Sequence, residues 1–268
     1  MNPILLIGAG RMGGALLRGW VGAGLGPVLV VEPSPGKDLK AFAAKHKIAL
    51  FGSTATIDSL AARACVVALK PQVLSQTAAS LAPIARSGAL MLSIAAGSST
   101  QSMRRAWGAK TRIVRAMPNT PGAIGRGITA LFAAKGATAK DKALAQSLLS
   151  ALGETVWLKS EGDIDAVTAV SGSGPAYVFL LTEALAAAAQ AEGLAPALAQ
   201  KLARATIAGA GALLDADPSA PADLRRNVTS PGGTTEAALK VLMAANGLAP
   251  LMRRAVAAAA RRARVLGR

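Results

Sequence analysis

Ile4-Leu5-Leu6-Ile7-Gly8-Ala9-Gly10-Arg11-Met12-Gly13, with the helix-length segment Met12 to Ala23 behind it, decides the fold. Four apolar residues read as a strand and the glycines as its turn into a helix, which is the context that gives G-x-G-x-x-G its meaning. Gly8 permits the tight turn, Gly10 lets a pyrophosphate approach the backbone, and Gly13 allows close helix–sheet packing, with the helix N-terminus facing the phosphates. Further Val-, Ile- and Leu-rich runs follow at Val28 to Val31, Ala64 to Leu69, Ala89 to Ile94 and Arg112 to Ala116. They are nearly continuous rather than alternating, the pattern of strands buried on both faces of a parallel sheet. Helical segments such as Pro35 to Lys45 lie between them, so the expected class is α/β, an N-terminal Rossmann-type doubly wound sheet. A strand at Ile128 to Phe132, a helix from Thr138 to Leu152 and a short strand near Thr155 to Leu158 complete it.

After Lys159 strand-like runs vanish, and Ala-rich segments begin near Pro and end near Gly. Those are helix start and stop signals. Pro175 opens a helix that Gly193 stops, Pro196 one reaching about Leu214, Pro221 a short one, Thr234 one stopped by Asn246-Gly247, and Pro250 a last one. The division is therefore a dinucleotide-binding domain over 1–160 and an all-α dimerisation and substrate domain over 161–268. The segment Pro175 to Ala191 is apolar almost all round and must be buried, which in a small helical domain suggests a dimer built on interleaved helices.

The 268 residues are 52% hydrophobic, enough for a packed core. One Cys, Cys65, and one His, His46, exclude an intramolecular disulfide and a Cys/His metal cluster, and no Ser/His/Asp or Cys/His set can be assembled. Cys65 reads as core packing and His46 as surface. The start, MNPILLIGAG, lacks a basic region and reads as a strand, not a signal peptide. The longest apolar stretch, Ala184 to Ala189 with its flanks, is interrupted by Glu183 and Gln190, short of the roughly 18 residues a membrane span needs. A cytoplasmic chain without membrane partners is expected. Residues 1–160 carry 19 Lys+Arg against 5 Asp+Glu, whereas 161–268 carry 11 against 9, so most of the +16 charge belongs to the first domain. Such a field suits a phosphate-bearing cofactor and an acidic substrate. Nucleic acid is the weaker choice, since aromatics are only 3% and the basic residues are scattered.

Glu32, at the end of the second strand and 24 residues after Gly8, stands where an acid accepts the ribose 2′-hydroxyl and favours NAD. Arg11, Ser34 and Lys37 are candidates to hold a phosphate instead, and a solvated position before Pro33 is the plain alternative for Glu32. Lys70-Pro71-Gln72, Ser93-Ile94-Ala95-Ala96-Gly97 and Arg115-Ala116-Met117-Pro118-Asn119-Thr120-Pro121 come at strand ends, at the carboxyl edge where such sheets bind ligands. With Gly8, Gly10, Arg11, Met12, Gly13, Glu32 and Ser34, the positions Leu69, Lys70, Pro71, Ala95, Ala96 and Asn119 make up the candidate cofactor rim. In the helical domain, Ser230-Pro231-Gly232-Gly233-Thr234-Thr235-Glu236 opens a helix with unpaired N–H groups, two glycines and two hydroxyls. That suits a carboxylate; capping by Thr234 or Thr235 is the simpler alternative.

GAGRMG, SIAAG, RAMPNTP, VSGSGPAYVF and VTSPGGTT, in this order and spacing over about residues 4–250, resemble the pyrroline-5-carboxylate reductase family. Arg11 stands where that family commonly has Asn or Gln, and Glu32 where it has small or polar residues. The resemblance implies hydride transfer from NADPH or NADH to the imine carbon of 1-pyrroline-5-carboxylate, giving L-proline, with the substrate at a homodimer interface and a higher oligomer of dimers left open. Carried over by motif, Ser230, Gly233, Thr234 and Thr235 bind the carboxylate, with Asn227 and Glu161 nearby, and Thr235 hydrogen-bonds the ring nitrogen as the catalytic contact. A 3-hydroxy acid dehydrogenase with the same plan is the competing reading. Those relatives place a catalytic Lys on the second domain's helix, and residues 160–200 contain no Lys or Arg.

Overall fold

Apolar strands and their crossover helices build an eight-stranded sheet in the computed structural model, which describes residues 2–57 and 61–266. β1 (Ile4–Ile7) leads into α1 (Arg11–Gly22), β2 (Val28–Val31) into α2 (Lys37–Lys45), and β3 (Ala49–Phe51) forms the edge. β4 (Ala64–Val67) is followed by α3 (Pro71–Thr77) and α4 (Ala82–Arg86), β5 (Leu90–Ser93) by α5 (Thr100–Trp107), and β6 (Ile113–Met117) by β7 (Gly127–Ala133). α6 (Ala139–Leu149) crosses over to β8 (Gly153–Trp157). The strand order is β3-β2-β1-β4-β5-β6-β7-β8, so the winding direction switches between β1 and β4, the position where open α/β sheets hold their ligands.

The two faces of the sheet explain the unbroken apolar runs. Ile4, Leu6, Val66, Leu92 and Val114 pack with Leu16 and Trp20 of α1 and Leu148 of α6. Leu5, Ile7, Cys65, Val67 and Met91 pack the other way, with Leu74, Ile84, Met103 and Trp107. Successive side chains point to opposite faces, so helices on both faces demand apolar residues at every position, each worth about 1.5–3 kcal/mol when fully buried. The indole N–H of Trp20 donates to the Leu148 carbonyl at 2.7 Å and that of Trp107 to Ala78 at 2.9 Å, so neither ring buries an unpaired donor. Cys65 has no exposed surface, and burial pushes its thiol up to about 12. His46 is exposed beyond α2, its ring 4.4 Å from that of Phe42.

Two strands depart from the sequence reading. β7 is antiparallel to β6, and β8 runs parallel to β7. Only residues 118–126 separate β6 from β7, too few for the crossover of a dozen or more residues that a parallel neighbour needs, so the chain must turn back. β3 has three residues, none of them buried, and is too short to stand out from the loop around it.

The described residues form two compact units, Met1–Gly172 with Ala259–Arg268, and Ser173–Ala258. α7 (Asp163–Val167) passes through a wide π-helical turn, Thr168–Gly172, into α8 (Gly174–Ala191), so Ser171-Gly172-Ser173-Gly174 lies in a helical run, not in a free loop. Pro175 offers no N–H and its ring crowds the carbonyl four residues back; a widened turn at that spot accommodates both. Then come α9 (Pro196–Ala216), α10 (Pro221–Asn227), α11 (Thr234–Leu242) and α12 (Leu248–Leu266). α11 stops before Asn246, and α12 begins two residues ahead of Pro250, which the first helical turn tolerates because its N–H groups are unpaired anyway.

Burial of the apolar helix is not achieved within one chain. Phe179 is 61% and Leu180 64% exposed, and Val178, Leu181 and Leu185 are exposed as well. The continuous run Asp163–Ala191, 29 residues with a mean hydropathy of 1.3 over its best window, is also long and apolar enough to cross a membrane by length and composition. The interruption expected from Glu183 and Gln190 does not break it.

Candidate functional site

Strand register aligns the carboxyl edge of the sheet unit. Ile7 pairs with Val31 on one side and with Val67 on the other, Val67 with Ser93, and Ser93 with Arg115. The next residue of each strand, Gly8, Glu32, Ala68, Ile94 and Ala116, therefore forms the rim. Backbone bonds carry the ladder one step further, from Gly8 N to Val31 O, Ala68 N to Ile7 O and Ile94 N to Val67 O, at 2.8–3.0 Å.

Gly8 has φ +87°, and a Cβ there would sit 2.9 Å from the Ala68 carbonyl and 2.9 Å from Cδ2 of Leu69. At Gly13 a Cβ would lie 2.1 Å from the Gly8 carbonyl, so α1 starts against the turn that precedes it and only glycine fits. Gly10 is different: nothing stands within 4 Å of its missing Cβ, and as N-cap of α1 it supplies no side-chain acceptor. The first turn of α1 also lacks an acid. Donors at a helix start, an open approach and no acid in the helix's own first turn fit a dinucleotide's pyrophosphate.

The Glu32 carboxylate is not simply solvated. Oε2 accepts from Ala9 N at 2.9 Å and Oε1 from Ser34 N at 3.3 Å, tying the end of β2 to the glycine turn. Gly10, Arg11, Glu32 and Ser34 line one cavity of about 840 Å³ together with Arg18, Gly36, Asp38 and Phe42. Arg18 is committed there, with one guanidinium N–H to the Gly14 carbonyl at 3.2 Å and its Cζ 5.6 Å from the centre of the Phe42 ring. Met12 is half-buried against the core. Lys70 caps α3 and Pro71 occupies its first position. Ala95 is buried with its N–H donated to Ser93 Oγ at 3.3 Å, Ala96 is half-buried, and Asn119 Oδ1 accepts from Ile128 N at 3.0 Å.

Glu161 belongs to the sheet unit. Its carboxylate accepts from Thr100 N at 2.7 Å, Thr100 Oγ1 at 2.6 Å and a guanidinium N–H of Arg115 at 3.0 Å. Arg115 is 5% exposed, and a buried guanidinium requires such a partner. No local sequence pattern marks Thr100 or Arg115 individually, beyond the presence of an Arg inside Ile113-Val114-Arg115-Ala116.

Ser230, Gly233, Thr234 and Thr235 lie in the helical unit at and just before the start of α11, and Asn227 ends α10 ahead of them. Gly233 is its N-cap, in extended backbone with no side-chain cap, so neither Thr hydroxyl caps the helix. Two N–H groups expected to be open are already used: Gly232 N donates to Glu236 Oε2 at 2.6 Å and Gly233 N to the Ser230 carbonyl at 3.0 Å. The Glu236 carboxylate reaches back because it stands in the first turn, where the helix dipole favours it. Gly232 N and Gly233 N are thereby taken, which leaves the hydroxyls and the N–H groups of Thr234 and Thr235 as the donors of this segment that an anion could use.

Residues 3–97 match a family model described as NADP oxidoreductase, coenzyme F420-dependent, and residues 161–266 one described as pyrroline-5-carboxylate reductase dimerisation. A pyrroline-5-carboxylate reductase of Pseudomonas aeruginosa is 40% identical over 261 residues, covering 97% of this chain and 94% of that one. The chain belongs to the pyrroline-5-carboxylate reductase family. A solved family structure from Coxiella burnetii superposes with a TM-score of 0.91 at 36% identity, covering 100% of this chain and 99% of the other. A family enzyme from Plasmodium falciparum, solved with NADP bound, gives 0.83 at 28% identity, covering 100% and 98%.

Proposed function

We propose that this chain reduces 1-pyrroline-5-carboxylate to L-proline with NADH or NADPH, the activity its family's name carries, and that its working form is a homodimer. The observation that carries the substrate assignment is the start of α11, where a glycine cap leaves both threonine hydroxyls free of capping duty. In this reading Ser230 and Thr234 hold the substrate carboxylate, Gly233 shapes the turn as the helix cap with its own N–H kept on the Ser230 carbonyl, Asn227 borders them, and Thr235 donates to or accepts from the ring nitrogen. The glycine turn and the starts of α1 and α3 hold the dinucleotide, whose contribution is a hydride. A protonated imine is already electrophilic, so alignment and carboxylate binding suffice and no general base is required. That agrees with the lack of Lys and Arg over residues 160–200, which disfavours an alcohol substrate. Glu161, with both oxygens engaged, acts by holding the start of α5 and the Arg115 charge rather than by touching substrate.

The exposed apolar faces of α8 and α9, including the groove between them that Phe179 and Ile207 line, are what a second copy would cover. Glu183 in that groove favours a protein interface over lipid. A cytoplasmic location follows from the same reading.

Purified protein should oxidise NADH or NADPH only when 1-pyrroline-5-carboxylate is present, followed at 340 nm in steady state. Oxidation of a 3-hydroxy acid with the oxidised cofactor, alongside no turnover of the imine, would reverse the assignment.

A further inference from the structure

Which dinucleotide the cavity beside the glycine turn selects is written in its charges, given the reading that this edge holds the cofactor. Two carboxylates, Glu32 and Asp38, and two guanidiniums, Arg11 and Arg18, line it. Arg18 is spent on the Gly14 carbonyl and the Phe42 face. Glu32 is held in place by two backbone donors, Ala9 N on one carboxylate oxygen and Ser34 N on the other, and has no cationic partner among the described contacts. A carboxylate fixed in this way cannot swing out to make room for an incoming anion without giving up both bonds. It retains lone pairs able to accept from a hydroxyl.

The alternative phosphate holders are weak by comparison. α2 begins at Lys37 under a glycine cap, but Asp38 occupies its first turn and places a second negative charge on the same cavity. Ser34 N, a natural phosphate donor after β2, is already turned towards Glu32. Lys37 does not line the cavity, so of the candidate cations Arg11 remains.

From this we infer that Glu32 is the specificity-determining residue for the cofactor and makes the chain select NADH over NADPH. A ribose 2′-hydroxyl donates to the fixed carboxylate, whereas a 2′-phosphate brings roughly two negative charges against it.

The test is binding, separate from turnover: dissociation constants of NADH and NADPH for the purified wild-type chain, read by titrating nicotinamide fluorescence. NADH should bind at least about tenfold tighter, the scale of one charge-assisted hydrogen bond. The preference should shrink as salt is raised, because part of it is electrostatic. Glu32→Gln keeps the size and an acceptor oxygen but removes the charge, and should lower the NADPH-to-NADH ratio of dissociation constants by about tenfold. Equal affinities, a preference of the wild type for NADPH, or an unchanged ratio in the variant would overturn the inference while leaving the proposed activity intact. Failure of both dinucleotides to bind would overturn the inference together with the reading of this edge as a cofactor site.

Discussion

The sheet unit and the helical unit complete themselves in different ways. Along β1 and β4 every side chain from Ile4 to Ile7 and from Ala64 to Val67 is buried within the same chain, and the rim residues behind them have their backbone bonds in place. In α8, a comparably apolar element, Phe179 and Leu180 remain more than half exposed. Identical physics is at work in both, since apolar surface must leave water. What differs is where the covering surface comes from: the sheet finds it in its own helices, while the apolar face of α8 stays uncovered and, in the proposed dimer, takes its cover from the second copy. An apolar sequence pattern therefore reports that a segment will be covered and is silent on what covers it.

The sharpest way to break this contrast is Leu180→Asp. In the proposed dimer it would place an unpaired carboxylate in an apolar interface, at several kcal/mol. Sedimentation at low micromolar concentration should show the assembly lost, with activity down more than about 100-fold. A variant that stays dimeric and active would show that this face is free surface.

Within the sheet unit, Gly13→Ala and Gly10→Ala separate packing from ligand binding. Gly13→Ala drives a methyl group into the Gly8 carbonyl and should cost about 1–3 kcal/mol of stability, seen as a lower urea midpoint. Gly10→Ala meets open space, so its midpoint should move little while dinucleotide affinity falls. Equal midpoints for the two would mean that α1 does not press on the glycine turn.

Thr235→Ala leaves the fold untouched and addresses the polar start of α11 in the helical unit. Loss of a hydrogen bond to a charged group is worth about 1.5–3 kcal/mol. kcat/KM for the imine should drop roughly 10- to 100-fold, with the cofactor's dissociation constant held within about twofold. Collapse of cofactor affinity with intact imine kinetics would move Thr235 out of the substrate site.

The sheet's parallel strands and the glycine turn were legible because burial on both faces leaves an unbroken apolar signature and because Gly8 and Gly13 answer to steric demands that no other residue meets. The reversal at β7 was encoded too, in the shortness of residues 118–126, but strand composition alone says nothing of direction. At the candidate site the rim positions followed from strand ends, whereas the bonds that Glu161 makes to Thr100 and Arg115 join positions 61 and 46 residues apart, a proximity no local pattern announces. The same holds for Glu32, whose place was readable and whose two backbone donors were not. Around α11, Glu236 is part of the Ser230–Glu236 motif, yet its reach back to Gly232 N appears only once the helix is folded.

Cys65 gives the experimenter something unsought. The chain's one thiol sits fully enclosed in β4, the strand next to the topological switch, and with its pKa raised to about 12 it is almost entirely un-ionised at neutral pH. Thiolate is the species that alkylating and disulfide reagents consume, so labelling has to wait until the centre of the sheet opens. The native sequence thus carries its own clock for that opening, readable by mass spectrometry without an inserted probe.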